Sequence, residues 1–267
     1  MILPLGLLSA AAEDVSEMHA LRNTGGWFVA GEFVASGLVG FLLPDLVLGE
    51  QPETLTCADA WCEVGGFDTA MRDLLRAGNP KPVGTVSHVF TVGLVPAVGA
   101  AALIVPAAIE GEAGEGVADA VIMVNAFLVA TGPNSIAKVT ARRQRPAFHF
   151  GVEDQTEAAG HPDEEFVSFY SGDTTWAFAL ASSSTTLSFL RDHDWAPITG
   201  ISTGVLALTG GALRVTADMH WTTDVIAGAV AGTAVGVALP LALHGRKQGD
   251  GATLVPTGNG FAIVGCW

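Results

Sequence analysis

Six apolar runs dominate this sequence. They fall at roughly 24–48, 84–109, 117–137, 172–190, 195–213 and 221–243. Each run is close to the length of about 20 residues that an α-helix needs to cross the hydrocarbon core of a bilayer. With a mean hydropathy of +0.44 and 15% charged residues, the chain also holds more apolar sequence than a soluble globule easily buries. The pattern predicts an all-α integral membrane bundle of about six transmembrane helices.

Small residues are frequent in these runs, as in ASSSTTLSFL and GAVAGTAVGVALPLAL. In lipid, small residues let helix backbones approach closely. The same composition would suit a soluble helical bundle with small-residue interfaces, but apolar runs of this length favour the membrane.

The connection between the first two runs contains GGFDTAMRDLLRAGNPK. Its apolar residues recur at helical spacing, with charges on the other side: Phe67, Met71, Leu74 and Leu75. This spacing predicts a short amphipathic interfacial helix that ends near the Gly-Asn-Pro sequence at 78–80.

No internal repeat divides the chain, so we expect a single membrane domain over 1–267. Its core would span about 84–243, with a peripheral N-terminal segment at 1–23 and a C-terminal tail at 244–267. The closing GNGFAIVGCW fits a short strand or a disordered tail equally well.

Charge and cysteine content limit the possible partners and the compartment. The formal net charge of -15 argues against a nucleic-acid partner, which needs a basic surface. Cys57 and Cys62 lie close together in CADAWC. They would close a small disulfide loop in an oxidising compartment or remain two reduced thiols, and both alternatives stay open.

Three short segments near the ends of predicted spans carry the residues suited to phosphate chemistry. KVTARRQRP contains Lys138 and Arg145, a flexible ammonium and a planar donor fork that suit phosphate oxygens. In SFYSGDTTWAF, Ser171 and Gly172 form a small-residue turn that would present backbone N–H groups to an anion at a helix start.

The third segment, RVTADMHWTTD, contains Arg214, His220 and Asp224. Residues four apart share a helix face, so Asp224 would accept a hydrogen bond from one ring nitrogen of His220 and leave the other as a nucleophile. If the N-terminus is cytoplasmic, six spans put the 49–83, 138–171 and 214–220 connections on one outer side, where the three segments converge.

In this order, K-x6-R-P, S-G and R-x5-H-x3-D resemble the signature of the type-2 phosphatidic acid phosphatase (PAP2) superfamily, which also includes vanadium haloperoxidases. The resemblance covers about 84–243, and FDTAMRDLL resembles a segment that bacterial membrane members carry upstream. The resemblance to this superfamily implies a phosphatase that hydrolyses a lipid phosphomonoester or diphosphate, of phosphatidic acid or isoprenyl diphosphate type. It also implies a location in a bacterial inner membrane, with the active site facing the periplasm.

The resemblance also implies roles for individual residues. His220 would form a phosphohistidine with support from Asp224, and neither a metal nor another cofactor is implied. Phosphate would be held by a separate set: Lys138, Arg145, Ser171, Gly172 and Arg214.

One position departs from the family pattern. Asp173 follows Ser171-Gly172 where the family usually has the histidine that protonates the leaving oxygen. Asp173 is therefore the third predicted catalytic residue, although an aspartate has an unperturbed pKa of about 3.9, against about 6.5 for histidine. The alternatives are an enzyme that favours diphosphates, a weak PAP2-like protein that only binds phosphorylated headgroups, or an acid supplied by His149 or His161.

Three further charged residues near the motifs have simpler roles than catalysis. Arg142 and Arg143 would either gather anionic substrate or anchor lipid headgroups, and anchoring is the expected role. Asp218 would cap the final span or pair with an arginine.

Overall fold

The computed structural model describes residues 25–48, 55–151, 164–245, 253–257 and 260–264. The expected peripheral segment at 1–23 and His161 lie outside the described residues. The helices are α1 Gly26–Leu48, α2 Gly66–Leu75, α3 Pro80–Ile109, α4 Ala113–Ala141, α5 Pro146–His149, α6 Gly172–Leu190, α7 Ala196–Thr216 and α8 Thr222–His244. In the tail, β1 Thr253–Thr257 pairs antiparallel with β2 Gly260–Val264, so the closing segment contains a strand.

Helices α1, α3, α4, α7 and α8 are long and apolar enough to cross a membrane. Their outward faces expose large apolar side chains, as α7 does with Ile198, Ile201, Val205 and Leu208, each more than half exposed. Such a stripe is costly in water and stable in lipid. The chain is therefore an all-α integral membrane protein, as the apolar runs predict.

The central helix α6 differs from the other long helices. It has the length of a span, but its middle is rich in serine and threonine and 12 of its 19 residues are buried. Hydroxyls bond to carbonyl oxygens one turn back, as Thr185 Oγ1 does to Ala181 at 2.7 Å. Helix α6 tolerates this polarity because other helices, rather than lipid, surround most of its surface.

A glycine stripe brings α8 against α6. Gly228, Gly232 and Gly236 recur every four residues, and a Cβ on Gly232 would lie 2.2 Å from the Thr175 carbonyl oxygen. Close backbone approach of this kind needs glycine. The contact fixes the start of α8 beside the start of α6, where the Ser171 N–H donates to the Asp224 carbonyl oxygen at 3.1 Å.

Prolines shape two of the spanning helices. The π-helical turns Leu38–Leu42 in α1 and Val89–Leu94 in α3 each end two positions before a proline, Pro44 and Pro96. Proline removes a helix hydrogen bond and crowds the carbonyl four residues earlier, so the preceding turn widens.

The amphipathic helix α2 is confirmed at Gly66–Leu75, and it ends before the Gly-Asn-Pro sequence rather than at it. Its apolar residues Phe67 and Leu74 are exposed, whereas Asp68 and Arg72 are buried. Both Nε and NH2 of Arg72 donate to the carboxylate of Asp218 at 2.5 Å. Pairing with an arginine is therefore the role found for Asp218, and it fastens α2 to the end of α7.

Candidate active site

His220 lies in the turn between α7 and α8, and only 1% of it is exposed. Its Nδ1 is 2.9 Å from the carbonyl oxygen of Ser168. A carbonyl oxygen only accepts, so Nδ1 carries the proton and Nε2 keeps its lone pair. The imidazole is therefore held in the tautomer that a nucleophile needs.

The predicted hydrogen bond between His220 and Asp224 is not formed. The Asp224 carboxylate lies 3.8 Å from Nδ1 of His220, beyond hydrogen-bond range. It accepts instead from Ser168 Oγ at 2.6 Å and from the backbone N–H of Trp221 at 3.0 Å. Asp224 therefore fixes the two chain segments on either side of the imidazole and leaves its negative charge close to the ring.

Arg143 is central to this network, whereas the expected role from the sequence was headgroup anchoring. It is 2% exposed, and it donates to Asp224 at 2.5 Å, to Thr223 Oγ1 at 2.7 Å and to Asp68 at 2.7 Å. Its guanidinium also lies 4.2 Å from the ring centroid of Trp61. The expectation for Arg143 was wrong because helix α4 ends at Ala141. Arg142 follows with a left-handed φ of 48°, and Arg143 is buried.

The disulfide loop packs against this segment. Cys57 and Cys62 are bonded, which decides between the two alternatives left open by the sequence. Within the loop, the Trp61 N–H donates to the Arg142 carbonyl oxygen and the Gln144 N–H donates to the Trp61 carbonyl oxygen, both at 3.0 Å. The loop thus holds Trp61 over the Arg143 guanidinium.

Two buried arginines, Arg145 and Arg214, lie at the same end of the bundle as His220. Arg145 pairs with Glu164 at 2.9 Å, and Arg214 pairs with Asp173 at 2.9 Å. The Nε of each arginine is buried without a hydrogen-bond partner among the described residues. Buried donors of this kind are normally satisfied, so both arginines retain capacity for an anion.

The start of α6 completes the cluster. Ser171 is the residue before its first turn, and its hydroxyl lies 2.9 Å from Thr174 Oγ1. A Cβ on Gly172 would lie 3.4 Å from Lys138 Nζ and 3.1 Å from Asn134 Oδ1. The lysine therefore lies directly against the positive end of α6, and a larger residue at 172 would crowd it.

The Asp173 carboxylate lies between Arg214 and His88. Its Oδ2 atom is 2.9 Å from Arg214 NH1 and 3.2 Å from Nδ1 of His88, which comes from α3. The other proposed donor, His149, contacts Gln144 at 3.2 Å and packs edge-on against Trp221.

Burial controls the charge of the site. It lowers the pKa of His220 to about 3, with Arg145 and Arg214 acting in the same direction and Asp224 opposing. Burial also lowers the pKa of Arg145 to about 10, so its guanidinium remains charged at neutral pH. The cluster thus combines a neutral imidazole with cations.

The sequence profile of the PAP2 superfamily matches residues 119–248. This stretch of the chain is therefore similar to the PAP2 superfamily. The crystal structure of a transmembrane PAP2 type phosphatidylglycerolphosphate phosphatase from Bacillus subtilis is similar to this chain, with 20% identity and a TM-score of 0.45. The match covers 78% of this chain and 94% of that chain. Comparison with curated proteins finds no match.

All the residues predicted from the three motifs lie inside the PAP2 match and at one end of the bundle. The residues that sequence reasoning missed include Asp68 and His88, which precede the match. Asp68 had a signal, since it lies on the charged side of the amphipathic segment. His88 had none, because it stands alone in an apolar stretch.

Proposed function

We propose that this protein hydrolyses a phosphorylated membrane lipid, a phosphomonoester or diphosphate, through a phosphohistidine on Nε2 of His220. The observation that carries the proposal is the tautomer of His220. Its Nδ1 donates to the Ser168 carbonyl oxygen, so Nε2 is the nucleophilic atom of a neutral, buried ring.

The phosphate would bind to the cations beside this ring. The unpartnered Nε atoms of Arg145 and Arg214 supply two charge-assisted donors. Lys138 and the first turn of α6 at Ser171 and Gly172 supply an ammonium and backbone N–H groups. Two of these cations already pair with carboxylates, so a phosphate would share or displace those contacts.

Attack by Nε2 on phosphorus forms a P–N bond and makes the imidazole cationic. Asp224, 3.8 Å from Nδ1, stabilises that developing charge, while Ser168 keeps the ring in orientation. Because burial lowers the pKa of His220 to about 3, the ring is neutral before the attack at physiological pH. The cations beside it would stabilise charge on the phosphoryl oxygens.

A lipid substrate fits the location of the cluster. The site residues lie at helix ends, while the flanks of the same helices expose apolar side chains to lipid. Acyl or isoprenyl chains would stay in the bilayer while the headgroup reaches the arginines. The adjacent Cys57–Cys62 disulfide supports a site facing an oxidising compartment, the periplasm of a bacterial inner membrane.

The test is phosphate release by the detergent-purified protein from phosphatidic acid and from a long isoprenyl diphosphate. We expect His220→Ala to abolish release and to prevent covalent labelling by a radioactive phosphate donor. His193→Ala is the matched control, because His193 lies at the other end of the bundle, after α6. Absence of release from both lipids, with headgroup binding retained, would contradict the proposal and indicate a protein that only binds phosphorylated lipids.

A further inference from the structure

We propose that His88 is the acid that protonates the leaving oxygen, and that Asp173 is its positioning residue. The inference rests on the proposed phosphatase function. His88 lies in α3, 85 residues before Asp173, and its Nδ1 is 3.2 Å from the Asp173 carboxylate. The His88 side chain is 59% exposed, whereas the Asp173 side chain is 10% exposed, so the imidazole is accessible while its partner is buried.

The carboxylates of the cluster are poor candidates for this acid. Asp173 pairs with Arg214, Asp224 with Arg143 and Glu164 with Arg145. A guanidinium only donates hydrogen bonds, so each of these carboxylates acts as an acceptor in its pair.

The remaining groups near the cluster are also unsuited. Burial raises the pKa of the Tyr170 phenol, which makes it a weaker acid. The buried Nδ1 proton of His220 is held by the Ser168 carbonyl oxygen, and the ring is the proposed nucleophile. Lys138 lies against the first turn of α6, among the groups that would hold the phosphate.

The geometry of His88 suits proton transfer. Its Nδ1 donates to the Asp173 carboxylate, so the opposite ring nitrogen, Nε2, is directed away from Asp173. No hydrogen bond from a described residue reaches Nε2. The Arg214 contact with the same Asp173 oxygen keeps that carboxylate in place, and the carboxylate in turn orients the His88 ring.

Phosphate release takes two steps. Nε2 of His220 forms a bond to phosphorus while the bond between phosphorus and the lipid oxygen breaks. The electron pair remains on that oxygen, which takes the Nε2 proton of His88. In the second step, water attacks phosphorus, neutral His88 accepts a proton from that water, and the P–N bond breaks. Its electron pair returns to Nε2 of His220 and inorganic phosphate leaves, which restores both histidines.

The test compares leaving groups. His88→Asn should lower kcat/KM by about 10²–10⁴-fold on a short-chain phosphatidic acid, whose alkoxide needs a proton. On 4-nitrophenyl phosphate, whose phenolate leaves without one, the same variant should lose less than about tenfold. Labelling of His220 by the nitrophenyl ester should persist, which a general structural defect would not allow.

Asp173→Asn should show the same dependence on the leaving group, and combining it with His88→Asn should add little further loss, since the two residues act as one unit. Adding Asp173→His to His88→Asn should recover part of the activity on phosphatidic acid. His193→Asn is the matched control and should behave as wild type on both substrates.

Two outcomes would overturn the inference. One is an equal loss on both substrates in His88→Asn, and the other is no loss on phosphatidic acid. Failure of the proposed function looks different, because wild-type protein would then release no phosphate from either substrate.

Discussion

Replacing Arg143 with methionine removes the guanidinium that joins two buried carboxylates. NH1 lies 2.5 Å from Asp224 and NH2 lies 2.7 Å from Asp68, and both acidic side chains are at most 4% exposed. Methionine keeps much of the side-chain volume but leaves both carboxylates without their cation. Arg143→Met therefore isolates the electrostatic part of the network.

The size of the effect follows from these contacts. Leaving one member of a buried ion pair uncompensated costs about 3–5 kcal/mol. Asp68 keeps the Thr223 N–H at 2.9 Å and Asp224 keeps Ser168 Oγ at 2.6 Å, so we expect this range rather than the sum for two pairs. For a chain of this size, each kcal/mol of lost stability lowers the unfolding midpoint by about 2–4 °C, so the midpoint should fall by about 6–20 °C.

Thermal unfolding of the purified protein in one detergent, at one scan rate, measures this shift. Lys81→Met is the matched control, since Lys81 is an exposed cation in the first turn of α3. We expect the control to stay within about 1 kcal/mol of wild type. A midpoint for Arg143→Met within about 4 °C of wild type would refute the argument.

The neighbourhood of His220 gives three more measurable consequences. Ser168→Ala removes the 2.6 Å hydrogen bond to Asp224 but keeps the carbonyl oxygen that holds His220. Because a hydrogen bond to a charged group contributes about 1.5–3 kcal/mol, kcat for phosphate release should fall about tenfold or more. Changing both Cys57 and Cys62 to serine opens a short loop with a sequence separation of 5 and should cost about 2 kcal/mol in thermal unfolding. Because the pKa of His220 is about 3 when folded and about 6.5 when unfolded, the unfolded chain binds the proton first, and stability should fall as pH drops from about 6.5 towards 3, less so in His220→Asn.

For each of these three predictions, one result would contradict the reasoning. An unchanged kcat for Ser168→Ala would mean that Asp224 does not need this hydroxyl. Equal unfolding midpoints for the oxidised protein and the double serine variant would show that the loop adds no stability. Parallel pH curves for wild type and His220→Asn would contradict the low pKa of His220.

The local pattern of residues along the sequence determined where the helices and the reactive groups lie. The predicted run at 172–190 coincides with α6, and the run at 221–243 differs by one residue at each end from α8. Apolar length and glycine spacing are properties of neighbouring residues, which a single chain displays directly. The three charged segments follow for the same reason, because each lies at a helix end.

Tertiary structure decided the partners of these groups. His220 precedes the first turn of α8, so the four-residue spacing to Asp224 does not place them on one helix face, and Asp224 instead accepts from the Trp221 N–H. The contacts between Arg143 and Asp68, and between His88 and Asp173, join residues 75 and 85 positions apart. Such pairs form only when helices pack, and no periodicity within a segment encodes which side chains meet across them.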